Sequence, residues 1–282
     1  MKDLFGDDTQ YIAQGILRQK FIEPPFSTLD TRQGDWQERK RRWKALGIRP
    51  EIVEGEKTHV YATNLKKSIG SVSIFDPALC ELMYKWFCPE GGDILDPFAG
   101  ASVRGVVAHI LGYHYTGIEI RQAQVDDNRN NGLEILPVNN QPQWYVGDSN
   151  EVLNSFDKKF DFVFSCPPYA DMEVYSDLEG DISNMSYPDF LTAYGSIIKK
   201  SCDLLKSGCF ACFVVSEVRS KKGDYLGLVP DTIRLFEESG MLYYNEIILI
   251  NQSGSACMRT AGFDKNRKII RTHQNVLVFK KP

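Results

Sequence analysis

The sequence predicts an α/β fold: a mostly parallel, doubly wound sheet with an antiparallel last strand, preceded by an N-terminal extension. Three observations carry this. Strand-like and helix-like segments alternate from residue 75 to the end, the pattern that produces parallel strands joined by helical crossovers. Apolar residues within the intervening segments recur at helical spacing. Successive predicted strands end in Asp96, Glu119, Asp148 and a proline pair, at the edge where such a sheet binds its ligands.

Residues 1–72 stand apart. Pro24-Pro25, Gly34, Gly47, Pro50 and Gly55 interrupt a segment without strand alternation, so it reads as an extension packed on the core or a small cap facing the substrate. The stretch 73–282 forms the main domain. Its first helix is expected over Pro77–Phe87, with Leu79, Leu82, Met83, Trp86 and Phe87 at helical spacing. Ile94-Leu95 is a short buried strand, and Val103, Val106, Val107 and Ile110 mark a helix over Ser102–Leu111. A strand at Tyr115–Ile120, a polar helix near Gln122–Leu133 and strands at Trp144–Val146 and Phe160–Ser165 follow. Pro188 suits the first turn of a long helix reaching Leu205, because its missing N–H is not needed there. Cys209–Ser216 is a strongly apolar strand, Val229–Glu238 a helix, and Glu246–Ile250 and Asn275–Phe279 the last two strands.

Composition narrows the class. The 282 residues are 43% hydrophobic and carry a net charge of −4, which suits a globular protein without global attraction for polyanions. The start lacks an apolar stretch of signal-peptide type, and no segment approaches bilayer length; a soluble, cytoplasmic protein of a bacterial or phage-infected cell is expected. Seven scattered cysteines fit reduced thiols. Cys209 and Cys212 have metal-like spacing but lie on a strand, where residues three apart face opposite ways. No metal is expected.

The chemistry concentrates at strand ends. Asp96-Pro97-Phe98-Ala99-Gly100-Ala101-Ser102 closes the first strand and opens a helix. Gly100 lets the turn approach a ligand, and Ser102 is placed to cap the helix. No Gly-Lys-Ser or Gly-Lys-Thr follows, and only Gly100 and Gly105 remain of a dinucleotide fingerprint. Glu119 lies 23 positions after Asp96, where an acid accepts hydrogen bonds from a ribose diol; Ile120 follows it. Asp148, beside Ser149, ends the third strand within reach of an adenine amino group. Three acids in this arrangement suit a nucleoside with a flexible charged tail better than a dinucleotide. Ser165-Cys166-Pro167-Pro168-Tyr169 ends the fourth strand. The prolines stop the ladder and leave carbonyls without neighbouring donors, with an aromatic ring next to them. That suits a flat group bearing an amino nitrogen.

This constellation, over about residues 70–280, resembles the S-adenosylmethionine-dependent methyltransferases that modify adenine-N6 or cytosine-N4 in DNA. The Asp-Pro-Phe-x-Gly element at 96–100, the acid at 119 and Pro-Pro-Tyr at 167–169 carry the likeness. Phe164–Ala170 and Thr272–Phe279 look like phage and prophage methylases. The resemblance implies a Rossmann-like class I methyltransferase fold with S-adenosylmethionine as cofactor and duplex DNA with a flipped base as partner. It implies that the Gly-rich turn (Asp96–Gly100) holds the methionine end, Glu119 the ribose and the Pro-Pro-Tyr loop the base; Phe75 and Asp76 would close the methionine end. Where that family has Asp, Asn or Ser before Pro-Pro, this chain has Cys166, and a thiol is a poor acceptor. Either Ser165 or a backbone carbonyl supplies the acceptor, or the target group differs.

Two basic stretches are candidate phosphate contacts: Arg39, Arg41 and Arg42 in the extension, and Arg259, Lys265, Arg267, Lys268 and Arg271 in the 24-residue connection Asn251–Gln274. Against them, Asp171–Asp189 holds six acids and no Lys or Arg, which fits a lid or a plain surface loop. The rival readings are the same fold acting on RNA, protein or a small molecule, and a non-catalytic protein that binds cofactor or DNA.

Overall fold

A computed structural model of the 282-residue chain describes residues 16–51, 74–169, 176, 178–220, 222–251, 256, 260 and 263–282. Its elements are α1 (Ile16–Phe21), β1 (Thr28–Asp30), α2 (Gly34–Ala45), α3 (Pro77–Phe87), β2 (Asp93–Asp96), α4 (Val103–Ile110), β3 (His114–Glu119) and α5 (Gln122–Ile135). They continue through β4 (Gln143–Val146), α6 (Ser149–Val152), β5 (Phe160–Ser165), α7 (Tyr187–Leu204), β6 (Leu205–Val215), α8 (Leu228–Glu238), β7 (Leu242–Ile250) and β8 (His273–Lys280). The eight strands run in the order β1-β7-β8-β6-β5-β2-β3-β4. Only β8 is antiparallel, lying between β6 and β7.

Both faces of the sheet are buried, as parallel strands require. On β8, Val276 and Val278 enter one core and Leu277 and Phe279 the other. On β6, Cys212 belongs to the first core while Cys209 packs against the second, so the two thiols do face apart. Tyr84 of α3 and Val106 and Val107 of α4 cover the first face; Phe190 and Tyr194 of α7 and Phe236 of α8 cover the second.

The extension departs from expectation in one respect. It contributes a strand: β1 pairs parallel with β7 from Thr28↔Ile248 to Asp30↔Ile250, and the Thr31 hydroxyl donates to the Ile250 carbonyl at 2.9 Å. Three residues are too few for a period of two to register in a sequence. Helix α2 buries Trp36 and Trp43 and packs on α3. The expected boundary at residues 72 and 73 lies outside the described residues.

Strand register gathers the chemistry on one edge. Ser165 is level with Phe213, Val215 with Asn275 and Ile250 with His273. The loops after β5, after β6 and between β7 and β8 therefore emerge together, beside the turn that follows β2.

Candidate active site

A cavity of about 570 Å³ opens at this edge, within the usual range for small-molecule sites. Pro97, Phe98, Ala99 and Gly100 form one wall, and Cys166, Pro167, Pro168 and Tyr169 another. Phe75, Asp76, Glu119, Ile120, Asp148 and Ser149 also line it. The turn after β2 is shaped by Gly100, whose φ of 51° lies in the left-handed region. Its carbonyl accepts from Asn128 Nδ2 at 2.7 Å.

Asp96 lies beneath this wall, fully buried and outside the cavity lining. It accepts from the Ser165 hydroxyl at 2.5 Å, the Tyr115 hydroxyl at 2.6 Å, the Phe98 N–H at 3.1 Å and Arg104 Nε. Arg104 also donates to the Phe98 and Ala99 carbonyls and lies 4.7 Å over the Phe75 ring. Burial pulls the guanidinium pKa down, but Asp96 outweighs it and the group is held charged. Burial and Asp96 push the Tyr115 phenol well up, keeping it a donor. This network ties the turn after β2 to the end of β5.

Three expectations are corrected here. Asp96 is a structural hub below the cavity, not a wall residue. Ser165 is fully buried and gives its proton to Asp96, so its oxygen does not reach the cavity. Ser102 makes no side-chain cap on α4; its hydroxyl donates to Asn131 Oδ1 at 2.7 Å, because α5 packs against that end of the helix.

Glu119 accepts the Arg121 N–H at 3.0 Å and Arg121 Nε at 2.8 Å, both on Oε1. Arg121 also bonds Glu51 of the extension. Asp148 caps α6 through Oδ1, which accepts the Asn150 N–H at 2.8 Å. Its Oδ2 faces Gly180, where a Cβ would lie 2.9 Å away. Asp76 caps α3 through Oδ1 and accepts from Trp36 Nε1 and Lys40 Nζ on Oδ2. Beyond the proline pair, the Tyr169 hydroxyl accepts from Gln274 Nε2 at 2.9 Å, and Gln274 Oε1 accepts from Asn251 Nδ2 at 3.2 Å. β7 and β8 thus hold the aromatic ring that β5 delivers.

The basic stretches separate. Arg39, one of the expected phosphate contacts, donates to the buried Glu81 at 2.7 Å and anchors α2 on α3. Arg41 pairs with Glu38 on the surface, and Arg42 lies on the same helix. In the β7–β8 connection Arg267 pairs with Asp264 and lies over Phe263, Lys268 follows it, and Arg271 bonds Asn275 and the His273 carbonyl. Arg259 and the Lys265 side chain lie outside the described residues, as does most of the acidic stretch up to residue 177. Among the described residues, no helix is long and apolar enough to cross a membrane.

Sequence reasoning missed Glu51, Arg104, Arg121, Asn251 and Gln274. Only Arg104 carried a signal: a cation in the otherwise apolar run Val103–Val107 has to be paired.

No family model and no curated protein matches the chain. Solved structures do. A candidate RNA methyltransferase from Pyrococcus horikoshii is 15% identical with a TM-score of 0.52, over 86% of this chain and 98% of that one. TrmN from Thermus thermophilus is 13% identical with a TM-score of 0.50, over 74% of this chain; the match spans only 49% of TrmN. A candidate DNA modification methylase from Thermus thermophilus, 22% identical, aligns over 48% of this chain and 50% of that one at a TM-score of 0.37, too partial an overlap to support an argument. The first two likenesses show the fold, a Rossmann-like methyltransferase fold.

Proposed function

We propose that this chain is an S-adenosylmethionine-dependent methyltransferase that methylates an exocyclic amino nitrogen of adenine or cytosine in DNA. One observation carries the reading: a single cavity joins the turn after β2 to the Cys166–Tyr169 loop, so a donor held on one wall faces an acceptor held on the other. The lining fits such a donor. Gly100 opens the turn to close approach, Glu119 offers its Oε2 to a ribose diol, and Asp148 Oδ2 offers an acceptor to an adenine amino group.

When bound, the donor supplies a methyl carbon already attached to a sulfonium leaving group. The protein's work is then alignment in a water-poor site. An exocyclic amine is a weak nucleophile because its lone pair is delocalised into the ring. The carbonyls of Cys166 and Pro167, with no proline N–H beside them, accept its hydrogens and turn the lone pair toward the methyl. Ser165 is spent on Asp96 and the Cys166 thiol is a poor acceptor, so the backbone takes this role. Tyr169, held by Gln274, stacks on the extruded base.

Nucleoside mass spectrometry tests the reading on DNA and RNA from cells expressing the wild type or Tyr169→Ala. A new N6-methyladenine or N4-methylcytosine in DNA is expected. Stacking on an aromatic ring contributes about 1–3 kcal/mol per base, so the variant is expected to lower that signal roughly tenfold or more. The same mark confined to RNA would favour the RNA reading. No new base in either sinks the proposal.

A further inference from the structure

Among the described residues, the cofactor end of the cavity holds more carboxylates than cations. Among the described residues of this wall, Arg104 is paired with Asp96 and Lys40 with Asp76. Glu51 and Glu119, by contrast, share the single guanidinium of Arg121. Two carboxylates on one cation leave an excess negative charge in a poorly solvated place, a costly arrangement until another cation arrives. Burial accordingly pushes the Glu51 carboxyl up, with Glu119 adding to the shift and Arg121 opposing it.

Glu51 also occupies a telling position. A Cβ at Gly100 would lie 3.8 Å from its Oε2 and 3.9 Å from its Cδ and Oε1. The carboxylate therefore sits close against the bare Cα of the turn, and both residues line the cavity. We propose that Glu51, supplied by the extension, binds the cofactor by accepting the ammonium group of its amino-acid tail. The inference rests on the cofactor reading above. A cation is what the unmatched charge attracts, and the tail is the part of the cofactor that lies on the Gly100 turn when Glu119 holds the ribose.

The test is calorimetric binding of S-adenosylhomocysteine and 5′-methylthioadenosine to the full chain, wild type and Glu51→Gln. Both ligands carry adenosine and a thioether; only the first has the amino-acid tail. Removing a charge-assisted hydrogen bond is expected to weaken S-adenosylhomocysteine roughly ten- to hundredfold and to leave 5′-methylthioadenosine unchanged. Equal weakening of both ligands, or of neither, overturns the proposal and makes Glu51 only an anchor of the extension. A wild type that binds neither ligand defeats the cofactor reading, and this inference with it. If Glu51→Gln melts below the wild type, Glu51→Asp is the second variant. It keeps the charge and is expected to retain the preference for S-adenosylhomocysteine; loss of that preference also overturns the proposal.

Discussion

At the scale of single residues, the site divides into groups that face the cavity and groups that hold those in place. Asp96 and Arg104 belong to the second kind. Removing either leaves a buried charge without its partner, which costs about 3–5 kcal/mol. Asp96→Ala is therefore expected to lower the urea midpoint steeply, and any activity it loses to follow the loss of folded protein. A variant with wild-type stability but no activity would return Asp96 to a ligand-binding role. Cys166 makes the opposite case. It lines the cavity, yet methyl transfer to an amine needs no thiolate. Cys166→Ala is expected to keep methylation within about tenfold of wild type; a loss beyond about a thousandfold would mark a nucleophile.

At the scale of elements, the described part of the extension packs onto the main domain: β1 joins its sheet and α2 lies on α3. Trp43 is fully buried, and its indole N–H donates to Glu81 at 2.7 Å. Trp43→Ala is expected to destabilise the whole chain by about 3–5 kcal/mol, read as a single shifted transition in chemical denaturation; a separate early transition would show α2 to be a detachable unit. Little of this was legible in the sequence. The parallel strands β2 to β6 and their helices announce themselves because each is long or apolar enough for its period to register, and because acids and prolines end them. The three residues of β1 carry no period. The run Arg39–Lys44 reads as a solvent-facing charge patch, and only the distant Glu81 and Asp76 reveal that two of its cations point inward. The walls formed by residues 97–100 and 166–169 were legible as local motifs. Glu51, Arg121, Asn251 and Gln274 were not, because each acquires its place through a contact between distant parts of the chain. Ser165 misled for the same reason: its partner, 69 positions away, decides which way the hydroxyl points.

At the scale of the whole molecule, a histidine links stability to pH. His109 on α4 accepts the Tyr115 N–H at 3.2 Å through Nε2, while Nδ1 lies 2.8 Å from Asn140 Oδ1. These partners require a neutral ring with its proton on Nδ1. Burial holds the pKa below the ordinary 6.5, with His114 acting in the same direction and the Asn140 bond opposing. Because the folded pKa is depressed, the unfolded chain binds the proton more tightly. The contribution of His109 is thus complete above pH 6.5 and is lost as pH falls from there through the folded pKa. His273, lowered by burial and Arg271, adds in the same sense. Glu23 and Glu51 have raised folded values and act oppositely, gaining stability as pH falls through their own range. Protonating His109 also breaks its bond to the backbone of Tyr115, whose hydroxyl supports Asp96 beneath the cavity. Urea midpoints measured from pH 8 to pH 5 are therefore expected to fall below about pH 6.5, with one proton contributing at most about 1.4 kcal/mol per pH unit. His109→Gln, compared with wild type at each pH, isolates its share: the difference in stability is expected to be largest at pH 8 and to shrink toward pH 5. A difference that stays constant across the range would remove His109 as the source of the slope.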